Sequence, residues 1–112
     1  MAASSTSIFV LSVTAGAAIT AGRAVTAAGA VSSSAGNALG IAQTDAASGD
    51  LVTVNVLGTA VATAGAAITA GAAVEVGTAG KVVTKSAGIT IGRALTAAGA
   101  DGDQVEILLI TN

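Results

Sequence analysis

The 112-residue sequence offers few side chains that could perform chemistry, and the densest group of them is acidic. Asp101, Asp103 and Glu106 lie within the segment DGDQVE, and carboxylate oxygens are ligands that Ca²⁺ prefers. The twelve-residue pattern of an EF-hand loop is absent, and the corresponding position earlier in the chain carries only Asp50. The cluster therefore indicates a solvated turn, and no metal site is expected.

Two lysines resemble parts of known nucleotide-binding or catalytic motifs. Lys81 follows a glycine, but a phosphate-binding loop needs Gly where Glu75 stands and Ser or Thr where Val82 stands. Lys85 and Ser86 are adjacent, so on a strand they point to opposite faces. The absence of His and Cys removes the commonest general base, the thiol nucleophile and most transition-metal ligands. We therefore expect no enzyme activity, no catalytic residue and no cofactor.

Charge also restricts the function. Charged residues make up 9% of the chain, the formal net charge is −2, and the four basic residues are scattered. Nucleic acid is therefore not expected as a partner. Leu51–Val74 has no charged residue over a membrane-spanning length, but it is rich in Ala, Gly and Thr and lacks aromatic or basic flanks. No membrane association is expected.

The apolar residues are unusually small. They form 53% of the chain, yet only 1% of residues are aromatic, and most of the apolar residues are Ala and Val. Each such side chain removes little surface from water, at about 25 cal/mol per Å² of apolar area. A single domain of this length would therefore have a core with little buried apolar area. Binding to copies of itself or to a partner would bury more apolar surface and add stability.

The nine-residue stretch TAGAAITAG occurs twice, at Thr14–Gly22 and at Thr63–Gly71, a spacing of 49 residues. Ala47–Leu57 corresponds in the same way to Ala100–Ile110, at a spacing of 53 residues. We therefore predict one β domain over residues 1–112. It would contain an N-terminal arm and strand at 1–10 and two pseudo-repeats at 11–58 and 59–112.

Glycine and β-branched residues favour strands over helices in this chain. Gly16, Gly22 and Gly29 would each cost up to about 1 kcal/mol in the interior of a helix. The predicted fold class is all-β, a compact barrel or sandwich, with a hairpin turn at Gly77–Lys81. Strands are predicted at Ile8–Val13, Ala38–Gln43, Leu51–Leu57, Ile68–Val76, Ile89–Leu95 and Val105–Ile110.

Eight residues near the two ends of the chain are candidate contacts with another molecule: Ser4, Ser5, Thr6, Ser7, Ile8, Phe9, Leu108 and Ile110. The polar N-terminal segment would be an arm on a neighbouring chain, or would pair along the edge of its own domain. Phe9, the single aromatic residue, would be a core plug in preference to a contact anchor. Leu108 and Ile110 share one face of the last strand, which would be a subunit contact or a covered core face.

Three segments of small residues and turns follow one another in a characteristic order: Gly40–Ala60, Ala66–Thr84 and Ile91–Leu109. Their sequences are GIAQTDAASGDLVTVNVLGTA, AAITAGAAVEVGTAGKVVT and IGRALTAAGADGDQVEILL. In this order they resemble the small capsid cement, or decoration, proteins of tailed bacteriophages. Arg23 and Ala72 stand where that family often has Asp, and Val76 stands where it usually has an aromatic residue. These departures leave the expected fold unchanged but mean that the family's binding contacts do not transfer directly to this chain.

The resemblance implies a β-rich barrel or sandwich on the outer surface of the phage head. It implies a structural virion protein that binds the assembled capsid and stabilises contacts between subunits of the major capsid protein. The expected partners are the phage major capsid protein and further copies of this chain, as a homotrimer in preference to a dimer.

An alternative from another class is a hexapeptide-type β-solenoid, such as an ice-binding or filament module. An aliphatic residue occurs at every sixth position from residue 13 to residue 31. The hexads stop after three, whereas a coil needs sustained repetition. A solenoid would stack Thr14, Thr20 and Thr26 on one flat face.

Overall fold

A computed structural model describes residues 7–110, and these residues form strands, turns and one short 3₁₀ turn at Thr78–Gly80. No α-helix occurs among them, so the all-β prediction is confirmed. The strands are β1 (Ser7–Thr14), β2 (Ala24–Val25), β3 (Gly40–Ala42), β4 (Leu51–Thr63), β5 (Ala73–Val76), β6 (Val82–Thr84), β7 (Gly92–Ala94) and β8 (Gln104–Leu109).

The strands form one antiparallel sheet in the order β2-β3-β4-β8-β7-β5-β6, with β1 added to β4. A parallel bridge between Ala64 and Val82 brings β6 back to the end of β4. The sheet therefore nearly closes on itself, and of the two predicted architectures, barrel or sandwich, the structure has the barrel. The predicted hairpin is also present, because Val76 pairs with Val82 across the 3₁₀ turn.

The 13-residue strand β4 connects the parts of this sheet. Residues 51–58 of β4 pair with β1, residues 54 and 55 pair with β3, and residues 58–63 pair with β8. Burial alternates along its sequence, LVTVNVLGTAVAT, as in a strand with one covered face, except that Asn55 is buried and Val56 is only partly buried. The predicted boundary between the two pseudo-repeats, at residues 58 and 59, lies inside this strand.

The core consists of two clusters of small aliphatic side chains. One contains residues of β4, β5, β7 and β8, with Ile91 and Ile107 among its largest members. The other is built around Val52 and Val54 of β4. The β2–β3 pair contributes side chains to both clusters, and all of its residues are buried. This short pair is therefore covered on both faces.

Glycine allows neighbouring strands to approach closely at two related points of the sheet. A Cβ atom at Gly40 would lie 2.0 Å from the carbonyl oxygen of Asn55, and a Cβ atom at Gly92 would lie 2.4 Å from that of Leu108. No side chain larger than hydrogen fits at these distances. Glycine is therefore required where β3 meets β4 and where β7 meets β8.

Backbone hydrogen bonds recur in the two halves between residues that are 49, 52 or 53 positions apart. Ile19 and Ala46 exchange two N–H···O bonds, as Ile68 and Ala98 do. The duplication of the chain stays a prediction, and these paired bonds are the observation that favours it. Three further pairs of bonds match: Gly22 N to Ala42 O with Gly71 N to Ala94 O, Ala15 N to Asp50 O with Ala64 N to Asp103 O, and Leu39 N to Val25 O with Ile91 N to Val74 O.

Several predicted strands differ in length from the observed ones. β4 extends to Thr63, beyond the predicted end at Leu57, because its second half pairs with β8. The strand predicted at Ile68–Val76 is reduced to Ala73–Val76, and Ile68 makes only an isolated bridge to Ala98. The repeated TAGAAITAG stretch therefore forms turns held by single bridges, since its glycines take turn conformations such as φ 87° at Gly22 and φ 91° at Gly71.

The close approach at Gly40 generates a stability prediction. Gly40→Ala should lower the free energy of unfolding by about 3 kcal/mol or more, the upper end for overpacking, because the new methyl group meets a backbone carbonyl. Gly16→Ala is the matched control, since its nearest atoms would be 3.8 Å away. Urea unfolding of both variants measures the difference, and equal stability of the two would contradict the close approach.

Candidate interaction surface

The acidic residues singled out in the sequence serve separate structural roles. One carboxylate oxygen of Asp103 accepts the N–H groups of Gly99 and Ala100 and so closes a turn. Asp101 pairs with Lys81 at 2.9 Å, and this cation lowers the pKa of the Asp101 carboxyl group. Within residues 7–110 no group of three or more potential metal-ligating side chains converges.

Glu75 is a buried carboxylate that organises the loop after β6. Its Oε1 atom accepts the N–H groups of Ser86 and Gly88, the latter at 3.0 Å. These bonds, first the one from Ser86 and then the one from Gly88, lower the pKa of Glu75, and the charge of Lys85 acts in the same direction against the effect of burial. The Glu75 carboxylate therefore holds the loop in its ionised form, by accepting hydrogen bonds from the backbone.

The two arginines also bind backbone carbonyls. Arg23 donates from Nη1 to Ala79 O at 3.1 Å, which ties the first half of the chain to the β5–β6 hairpin. Arg93 donates from Nη1 to Gly71 O at 2.7 Å. Both arginines thus secure turns of the second half, and neither is directed at a substrate.

Four of the exposed apolar side chains, in contrast, lie on strand ends that meet from both ends of the described chain. Ser7 at the start of β1 and Leu109 at the end of β8 both pair with Gly58 of β4. Next to them, Phe9 pairs with Leu57 and Leu108 pairs with Thr59. We call the exposed residues around this meeting point the Gly58 patch, consisting of Ile8, Phe9, Leu108 and Ile110.

The structure decides between several alternatives for these residues. Phe9 is 48% exposed, so the interpretation of this residue as a core plug is wrong. β8 is a central strand, as expected for the core alternative, but Leu108 and Ile110 remain more than two-fifths exposed. Ser7 begins β1, whereas Ser4, Ser5 and Thr6 lie outside the described residues.

Other exposed apolar residues were not identified from the sequence. Leu51 is 69% exposed at the first position of β4, and Val10, Ile89 and Leu95 are also exposed. Alternation along β4 could have identified Leu51, because Val52 and Val54 occupy the buried face. The other three depend on pairings between distant strands, which the local pattern does not determine.

The solenoid alternative is wrong. The strand ladders of residues 7–110 are antiparallel, whereas stacked solenoid coils form parallel ladders. Thr14 lies in β1, while Thr26 belongs to a turn in which its hydroxyl accepts the N–H of Ala30. No ladder of the described sheet joins the threonines at 14, 20 and 26 into one flat array.

Two surface depressions carry few groups that could act on a ligand. One of about 450 Å³ is lined by small residues together with Lys81 and Asp101, which already pair with each other. Another, of about 260 Å³, is lined by Thr26, Ala27 and residues 37–39 and carries no charged group. In the part of the chain that the structure describes, no helix is long and apolar enough to cross a membrane.

These features define a small all-β protein whose polar groups maintain turns and whose Gly58 patch is exposed and apolar. A family model described as phage cement protein matches residues 4–109. The chain belongs to the phage cement protein family, as its sequence segments suggested, and the protein is a virion component located on the phage head.

A solved structure supports the same fold. The crystal structure of the N base of the head fiber gp8.5 in bacteriophage phi29 superimposes with a TM-score of 0.74 at 21% sequence identity. The match covers 91% of this chain and 93% of that one. Comparison with curated proteins gave no match.

The buried Glu75 carboxylate generates a prediction about pH. Because its pKa is lowered in the folded protein, its stabilising effect is complete above the ordinary glutamate value of about 4.5 and is lost as the pH falls through the folded-state pKa. Glu75→Gln should therefore be less stable than the wild type at pH 7, and the difference should shrink below pH 4.5.

Thermal unfolding of both proteins between neutral and acidic pH measures this difference. A stability gap between wild type and Glu75→Gln that stayed constant over the whole range would show that the charge of Glu75 does not hold the loop.

Proposed function

We propose that this protein binds the outer surface of the assembled phage capsid and stabilises contacts between subunits of the major capsid protein. The observation that carries the proposal is membership of the phage cement family over nearly the whole described sheet. The exposed, uncharged Gly58 patch supports it, because exposed apolar side chains on neighbouring strand ends are suited to a protein interface.

The protein would act by coupling its own binding to the assembly of the capsid. A protein that binds the assembled lattice and not the free subunits stabilises the lattice by mass action. Many copies, each with a small contact, add to a large effect, and linking copies together increases their avidity. No side chain would perform a reaction, in keeping with the polar groups that are committed to turns.

The proposal includes self-association, as a trimer in preference to a dimer. The core of small aliphatic residues supports it, because burial against another copy would add to the apolar area removed from water. It includes no nucleic acid partner, in keeping with the net charge of −2 and the scattered basic residues.

The Gly58 patch generates a binding prediction. Phe9→Ser should bind expanded, undecorated capsids about tenfold to a hundredfold more weakly, because a largely buried aromatic contact is worth about 1–3 kcal/mol. Its folding stability should change by less than about 1 kcal/mol, since Phe9 is exposed in the free protein.

Leu95→Ser is the matched control, because Leu95 is similarly exposed but follows β7, three strands from β1 in the sheet. Co-sedimentation with capsids over a concentration series measures both affinities. Failure of the wild-type protein to sediment with any form of the capsid would refute the proposed function, and equal binding of the two variants would refute the role of Phe9.

A further inference from the structure

One contact inside the chain joins the first half to the second. The turn at Gly22 packs against the edge of the second half of β4, where Thr63 N donates to Gly22 O at 2.9 Å. The approach is close, because a Cβ atom at Gly22 would lie 2.8 Å from Thr63 Oγ1. Arg23 strengthens the contact by donating to Ala79 O. A turn from one half therefore covers a strand edge of the other.

The two parts of this contact, the glycine turn and the threonine on the strand edge, each occur a second time in the chain, within the two copies of TAGAAITAG. Gly71 ends the second copy of TAGAAITAG as Gly22 ends the first, with φ 91° beside φ 87°. Thr14 begins the first copy as Thr63 begins the second. The pairing of β1 with β4 also matches that of β4 with β8, because Thr14 pairs with Leu51 as Thr63 pairs with Gln104.

The second pair of components makes no such contact within the chain. Gly71 is exposed, and a Cβ atom placed there would meet nothing within 4 Å, whereas Gly22 is buried. The carbonyl oxygen of Gly71 accepts a bond from Arg93 Nη1 at 2.7 Å, and its second lone pair can accept another N–H group. Ser12 and Thr14 are exposed, whereas the matching Val61 and Thr63 are partly buried. The Gly29 turn covers the end of this edge at Thr14 O and Gly16 N, but the Gly71 turn and the edge from Ser12 to the N–H of Thr14 are left uncovered among residues 7–110.

The backbone of β1 has an N–H group in the right direction to bind such a turn. Ala15 donates its N–H to Asp50 O, so by alternation the N–H of Thr14 points away from β4. Gly29 packs against the carbonyl oxygen of Thr14 and leaves this N–H without a partner in the described part of the chain. The outer edge of β1 also has no paired strand there and carries no charged residue to protect it.

We propose that the Gly71 turn of one copy of this protein docks on the Thr14 edge of β1 in a second copy and repeats the internal contact between Gly22 and Thr63. The occupant is a second copy because the chain itself shows which turn covers this kind of edge. The contact is head-to-tail, since each copy contributes a turn on one side and an edge on the other, and such contacts close into rings or continue as chains.

The intermolecular contact should be weaker than the internal one. Ala72 stands where Arg23 stands in the first half, so the bond corresponding to Arg23 with Ala79 O is missing. The internal contact is also intramolecular and loses no translational freedom when it forms. Association should therefore depend on concentration, with the monomer as the dissociated species.

Two variants test the two components separately. Thr14→Pro removes the N–H that would donate and leaves the bonds from β1 to β4 in place, because Pro is tolerated on a strand edge where the N–H faces away. Ala70→Arg places a large side chain in the exposed turn. Each should weaken self-association by about tenfold to a hundredfold. Ala87→Arg, at an exposed loop position after β6, is the matched control and should associate as the wild type does.

The decisive measurement mixes the two variants and follows their mass by sedimentation equilibrium. Thr14→Pro retains an intact turn and Ala70→Arg retains an intact edge, so an equimolar mixture should form 1:1 dimers while each variant alone stays monomeric. A mixture that stays monomeric, an Ala70→Arg protein that associates like Ala87→Arg, or a wild type that is monomeric up to about 1 mM, a Kd at the weak limit of specific binding, would each overturn the inference.

The inference rests on the self-association included in the proposed function, but the two fail in different ways. A wild-type protein that is monomeric yet sediments with capsids would refute the head-to-tail contact and leave capsid binding intact. A protein that self-associates as described but does not sediment with capsids would refute capsid binding and leave the head-to-tail contact intact.

Discussion

The structure depends on close approach between strands that have little side-chain volume to fill the space between them. Gly40 lies against the Asn55 carbonyl and Gly92 against that of Leu108, and the buried side chains are mostly Ala, Val and Ile. Such a core removes modest apolar area, so the nearly closed set of backbone hydrogen bonds and the anchored turns must maintain the barrel. Polar groups such as Glu75 and Asp103 are consequently used for turns.

This division of roles explains where the surface is available for binding. The start of β1 and the end of β8 carry apolar residues that do not pack in the small core, and both strands meet β4 at Gly58. The related strand edge in the second half of β4 is covered by the Gly22 turn. The edge of β4 is therefore covered within the chain, whereas the related edge of β1 is not. This difference suits a protein whose β1 edge is covered by another molecule in an assembly.

The sequence predicted the fold class, the hairpin and most strand positions, because glycine and β-branched residues exclude helices and alternation marks strands such as β4. It did not predict that Phe9 would be exposed, since an isolated aromatic residue in an apolar strand gives no local sign of its environment. The meeting of Ser7 and Leu109 at Gly58 depends on pairing between distant segments. Exposure at Leu108 was one of two open alternatives, and only the packing of the whole barrel decides between them.

Cryo-electron microscopy of expanded capsids incubated with the purified protein would test the central claim most directly. We expect added density on the outer surface, with the barrel oriented so that Phe9 and Leu108 face the major capsid protein. Capsids without added density, or density in which the Gly58 patch faces solvent while another side of the barrel contacts the shell, would contradict it.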